Sequence, residues 1–95
     1  MLTEAKVRGA KPGAKPYKLT DERGLYLLIA PAGGKLWRFD YRHAGKRKTL
    51  ALGAYPDVSL AMARERRKEA RRLLAEGVNP SARRRAEKAD ERAAA

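Results

Sequence analysis

Cysteine is absent from the 95 residues, and histidine occurs once, as His43. The first absence excludes disulfides and thiolate metal sites; the second excludes a histidine-rich metal centre, so no metal and no cofactor is expected. A chain without cysteine is compatible with a reducing cytoplasm. Aromatic residues make up 6% of the chain, with a single Trp and a single Phe. No apolar run approaches the roughly 20 residues needed to span a membrane. The first residues also lack the apolar stretch of a signal peptide. Acid is scarce as well: 11 Asp and Glu stand against 23 Lys and Arg.

What is present in excess is positive charge. A net charge of +12 on 95 residues attracts polyanions such as DNA, RNA or an anionic lipid surface. Solubility alone needs far less. The length suggests one domain, close to the lower end for a self-sufficient core.

Along the chain, "MLTEAKVRGAKPGAKP" reads as a short helical turn capped by Thr3 and then a linker broken by Pro12, Gly13 and Pro16. Its lysines suit an arm lying along phosphates as well as a flexible solubilising tail. Residues 24–30, "GLYLLIA", alternate as a strand with Leu25, Leu27 and Ile29 on one face and Tyr26 and Leu28 on the other. Pro31–Gly34 forms a turn, and a second strand runs from about Lys35 to His43. Ala44-Gly45 is a two-residue hairpin loop, and the third strand follows from Lys46 to Leu52. This loop sets a register in which Arg42 faces Arg47, Asp40 faces Thr49, Phe39 faces Leu50 and Trp37 faces Leu52. Tyr17–Leu19 is a candidate short edge strand.

Ser59 caps a helix that ends at Gly77. Its apolar stripe of Leu60, Ala63, Ala70 and Leu74, with Leu73 beside it, is narrow and is interrupted by Arg67, whose head is expected in water. The expected fold is therefore α+β, a three-stranded antiparallel β-sheet packed on one C-terminal α-helix (β-β-β-α) with flexible termini. Residues 1–23 form an N-terminal arm, 24–80 the sheet and helix, and 81–95 a connector with no apolar face beyond alanine.

With the helix on the Trp37 face, the opposite sheet face is bare. It carries Tyr26, Leu28, Arg38, Asp40, Arg42, Arg47 and Thr49, with Lys46 and Lys48 at the hairpin tip. Like charges directly opposite in a hairpin destabilise it by up to about 1 kcal/mol. The Arg42–Arg47 pair therefore suggests an anion between them. Arginine bridges guanine O6 and N7, Thr49 suits a thymine methyl, Asp40 suits cytosine N4 or orients the arginines, and the lysines suit phosphates. Stacking on single-stranded RNA would need exposed aromatics, of which this face has only Tyr26. No Ser/His/Asp set has sensible spacing, and Gly33–Lys35 is too short for a phosphate loop, so neither catalysis nor a small-molecule substrate is expected.

The run from Gly24 to Pro80 resembles the N-terminal arm-type DNA-binding domain of prophage and genomic-island integrases of the tyrosine recombinase family. The marks are Gly24-Leu25, Gly34-Lys35, Trp37, Tyr41, Gly45-Lys46, Leu52-Gly53, Tyr55-Pro56, Ser59-Leu60, Ala63-Arg64, and Gly77 with Pro80; "LTEAKVRGAKP" is similar to the usual start of such proteins. The resemblance implies a three-stranded sheet that enters the major groove of arm-type attachment sites in the bacterial cytoplasm, in association with the nucleoid, with other integrase subunits as further partners. It carries over no catalytic arginine, histidine or tyrosine nucleophile, so the chain itself is not expected to be an enzyme. Two other classes stay open: an RNA-binding basic module, and a protein-interaction module that uses the arginine-rich helix.

Overall fold

The computed structural model describes residues 1–86. Its elements are α1 (Glu4–Gly9), β1 (Tyr17–Thr20), β2 (Leu25–Ile29), β3 (Lys35–His43), β4 (Lys46–Tyr55) and α2 (Leu60–Ala75). Residues 80–86 form a further helical stretch, α3. The fold is α+β, but the sheet has four strands rather than three, in the order β1-β2-β3-β4 with every pair antiparallel. The extra strand is the edge at Tyr17–Thr20, which pairs Leu19 with Leu27 and Tyr17 with Ile29. Three helical stretches replace the single expected helix.

The hairpin register holds from His43↔Lys46 to Arg38↔Ala51. Ala44 and Gly45 both take positive φ, 53° and 75°, the pair of left-handed residues that a tight two-residue hairpin loop demands. Beyond Arg38 the expectation fails. A bulge between Trp37 and Arg38 makes Leu52 an extra residue, and Trp37 faces Gly53 instead. The Leu52 carbonyl accepts from Arg66 Nη1 of α2 at 2.7 Å, so the bulge fastens the helix to the sheet. Past the bulge β4 continues to Tyr55, three residues further than the sequence pattern indicates.

The helices pack on one face. Leu25, Leu27, Ile29, Trp37, Phe39, Tyr41, Leu50 and Leu52 meet Val58, Leu60, Ala63, Ala70 and Leu73 in the core. Trp37 is wholly buried and its indole Nε1 donates to the Val58 carbonyl at 2.7 Å, which satisfies its polar atom inside an apolar setting. Helix α2 starts at Ser59, whose side chain accepts from the Met62 amide. It ends in a Schellman arrangement: Val78 N–H donates to Leu73 O, and Gly77 N–H to Leu74 O, with Gly77 at φ +81°. Leu73, rather than Leu74, takes the buried position of the last turn.

The N-terminal segment is not a flexible tail. Thr3 caps α1 by accepting from the Lys6 amide, as the sequence indicates, but Leu2 and Val7 lie in the core. Lys35 Nζ donates to the Val7 and Arg8 carbonyls at 2.8 and 3.0 Å, neutralising the C-terminal end of α1.

The fastening continues at Asp21. Its buried carboxylate accepts from the Leu2 amide (2.9 Å), from Arg64 (3.0 and 3.2 Å) and from Arg67 (2.9 Å). Arg64 also donates to the Leu2 carbonyl, and Arg67 to the Glu22 carbonyl, both at 2.8 Å. The Arg67 side chain is only 12% exposed, so its head is not in water. It interrupts the apolar stripe in order to pair with a buried acid.

At the other end of the domain, the Tyr41 hydroxyl meets Asn79 Oδ1 at 2.7 Å and Ser81 Oγ at 2.6 Å. Pro80 is buried, and Arg84 donates to the Ala51 carbonyl. The expected connector is thus anchored through its first residues; its remainder, from residue 87, lies outside the described residues.

Candidate nucleic-acid interface

Among the described residues no helix covers the second face of the sheet. Register and burial together define it. Lys18 and Thr20 of β1 stand beside Leu28 and Tyr26 of β2; those stand beside Leu36 and Arg38 of β3; and β4 completes the face with Ala54, Ala51, Thr49 and Arg47. Seven of the sequence-derived candidates, Tyr26, Leu28, Arg38, Asp40, Arg42, Arg47 and Thr49, fall on this one face. Lys46 and Lys48 do not. They pair with His43 and Tyr41 on the helix-facing parity, at the tip of the hairpin beyond the core.

The face is graded. Leu28, Leu36 and Ala54 make one end apolar, and the hairpin end carries Arg42 directly opposite Arg47. Between them Asp40 accepts from Thr49 Oγ1 at 2.7 Å and pairs with Arg47 Nη2 at 3.4 Å. Arg47 is 74% exposed, so this ion pair is weak and screened by salt. It positions the arginine more than it stabilises the fold. Arg42 has no acid partner among the described residues. Arg38, central on the face, has a buried Nε without a hydrogen-bond partner among the described residues, an unusual state for a guanidinium. Burial, helped by the charge of Asp40, raises the Tyr26 hydroxyl above its ordinary pKa and keeps it a neutral donor. Lys18 Nζ sits 4.7 Å from the centre of the Tyr26 ring, adding a cation that sequence reasoning missed. The signal was available in the alternation of Tyr17–Thr20, which places Lys18 and Thr20 outward once that segment is admitted as a strand.

Behind the face, the β1–β2 connection depends on Gly24. At φ +87°, a Cβ there would stand 2.5 Å from the Asp40 carbonyl, so only glycine lets the turn lie against β3. Among the described residues no group of three or more His, Cys, Asp or Glu is placed to hold a metal ion. Nor is any helix among them long and apolar enough to cross a membrane.

A small basic domain with a helix-backed antiparallel sheet and an uncovered, arginine-bearing outer face is the architecture of a sheet-type polyanion binder. The chain belongs to the Arm DNA-binding domain family, which it matches over residues 2–87. It is 48% identical over 91 residues to the prophage integrase IntZ of Escherichia coli K12, covering 93% of this chain and 22% of that protein. It is 44% identical over 81 residues to an integrase of Enterobacteria phage P4, covering 83% of this chain and 18% of that one. An integrase of Shigella phage Sf6 is 41% identical over 80 residues, with coverage of 84% and 21%. The chain spans about one fifth of the length of these curated relatives. The resemblance read from the sequence, to arm-type domains of integrases, is thereby shown.

Proposed function

We propose that this domain binds duplex DNA by laying its outer sheet face in the major groove, as the arm-binding part of a phage-type tyrosine recombinase acting in the cytoplasm. The observation that carries the reading is the register, which sets Arg42 against Arg47 on an uncovered face. Two guanidiniums held opposite each other with only one acid nearby lower the stability of the free domain and suit a bound anion. The major groove, about 12 Å wide, admits a β-ribbon. In this arrangement Arg38, Arg42 and Arg47 address guanine edges or phosphates. Thr49 and the apolar end at Leu28 suit thymine methyls, Asp40 holds the arginines or accepts from cytosine N4, and Tyr26 donates through its neutral hydroxyl. Lys46 and Lys48, at the tip, meet the phosphate backbone.

The competing readings have less support. Among the described residues Tyr26 is the only aromatic side chain on the outer face, too few for stacking on single-stranded RNA. Of the helix arginines, Arg64, Arg66, Arg67 and Arg72 are already engaged within the chain, which leaves less of α2 for a partner protein. The test is an anisotropy titration against attachment-site duplex, random duplex and single-stranded RNA over a salt series. Preference for duplex with a steep salt slope is expected; equal binding to RNA, or a flat salt response, overturns the reading.

A further inference from the structure

The β3–β4 hairpin outruns its neighbour. Strand β2 begins at Leu25, opposite Phe39, and the Gly24 carbonyl still pairs with the Asp40 amide, so β3 has an open edge from Tyr41 to His43. That edge borders a cleft of about 350 Å³, floored by Phe39, Tyr41 and Leu74 and lined by Arg23, Arg42 and Arg71. The three arginines come from three different elements: the β1–β2 turn, the hairpin and α2. All three are exposed, and none makes a hydrogen bond or ion pair among the described residues.

The acids nearby are outnumbered. Asp40 borders the cleft, but its carboxylate is held by Thr49 and Arg47 on the outer face. Glu22 and Glu65 line the next groove along α2, which Arg23 and Arg71 share with Arg64, Arg67 and Lys68, so cations outnumber acids there five to two. The backbone adds a donor. Asp40 N–H points sideways to the Gly24 carbonyl, at 2.9 Å. Alternation along the strand then turns the Arg42 N–H to the same side, where β2 has already ended. Arg23 takes φ +57° and, with Gly24 at +87°, fills the two left-handed positions of the tight turn closed by the Leu25 N–H to Glu22 carbonyl bond, which fixes its place beside the cleft.

We propose that this cleft is a second DNA contact: it grips one backbone phosphate of the same duplex whose major groove receives the sheet. The inference rests on the sheet-face reading above. Arg42 links the two surfaces, since it lines this cleft and, with Arg47, the one on the outer face. A phosphate strand bordering the groove can pass around the open edge of β3 and meet Arg23, Arg71 and the Arg42 amide together. Guanidinium groups are the side chains best suited to hold phosphate oxygens, through paired donors, and the apolar floor limits competition from water.

The test uses substitutions that leave the outer face untouched: Arg23→Asn, which tolerates the left-handed backbone, Arg71→Gln, and the two together. Both side chains are exposed and unpaired among the described residues, so thermal unfolding should not move; a fall in either variant assigns that arginine to the fold and overturns the proposal. On a short random-sequence duplex, the double variant should bind several-fold more weakly, with the slope of log affinity against log salt reduced by about 0.9, the value for one lost phosphate contact. The loss should be the same on attachment-site duplex. Ethylation of single phosphates should reveal one position that weakens the wild type and not the double variant. An unchanged slope and ethylation pattern overturns the cleft while leaving the sheet face standing. A loss confined to attachment-site duplex overturns the phosphate assignment. A wild-type protein indifferent to duplex DNA overturns both.

Discussion

At the scale of single residues, Trp37, Asp21 and Arg42 serve three different ends. Trp37 is wholly enclosed, with its one polar atom satisfied by Val58. Trp37→Ala should lower unfolding free energy by about 3–5 kcal/mol in a denaturant titration, through lost burial, an empty cavity and an orphaned carbonyl. Asp21 is a buried acid with several donors. Burial alone would raise its carboxyl, but the hydrogen bonds from Arg64, the Leu2 amide and Arg67 outweigh it and hold it at about 2. A folded pKa below the unfolded one stabilises the domain above about pH 4, and the contribution fades as pH falls toward 2. Thermal melts across that window should lose about 2 kcal/mol, and Asp21→Asn should be less stable at neutral pH but flatter in its acid response. Arg42→Glu reverses the sign opposite Arg47. It should stabilise the free domain by some tenths to about 1 kcal/mol in the same denaturant assay, while sharply weakening duplex binding by anisotropy. Unchanged DNA affinity would remove this sheet face from the interface.

At the scale of elements, the parts set by short-range pattern were legible and the parts set by long-range contact were not. The hairpin loop chemistry fixed the register around Arg42 and Arg47, so the arginine end of the outer face could be read directly from alternation. The bulge at Leu52 could not, because its reason lies on α2, where Arg66 satisfies the freed carbonyl. Lys46 and Lys48 were assigned by their place at the tip and fall on the other parity. The edge strand β1 is only four residues long, too short for its alternation to stand apart from a linker. Helix α3 is polar in sequence; what holds its start is Pro80 and the Tyr41 hydroxyl. Removing the chain from Ala82 onward takes away the Arg84 bond to the Ala51 carbonyl. The expected loss in thermal unfolding is therefore about 1 kcal/mol, the worth of one hydrogen bond, rather than none. Tyr41→Phe should instead loosen the start of α3, read as faster amide exchange at Ser81 with little change in β3.

At the scale of the whole molecule, charge dominates. The +12 excess predicts that affinity for duplex falls steeply with salt, by roughly 0.9 log units per log unit of salt for each phosphate neutralised. Replacing Lys46 or Lys48 should weaken binding to all duplexes alike and flatten that slope by about one unit each. The fold that carries this charge limits its own repulsion by separating it. Asp21 absorbs Arg64 and Arg67 at the helix–sheet seam, and Glu69 and Glu76 absorb Arg72 on the solvent side of α2. Uncompensated cations are thereby left at the hairpin and on the outer face.

The Asp21 clasp also bears on the order in which the domain assembles. Its Arg64–Leu2 bond joins residues 62 apart in sequence, whereas the hairpin closes within a few residues. On a ribosome, Leu2 emerges long before Arg64 exists, so the clasp that ties the N-terminal segment to α2 closes only once α2 has been synthesised. Closing so long a loop carries an entropic penalty that local pairing does not. The sheet with its arginine face therefore forms first, and the N-terminal segment locks last. In refolding followed by pulsed amide exchange, protection at Phe39 and Tyr41 should precede protection at Val7.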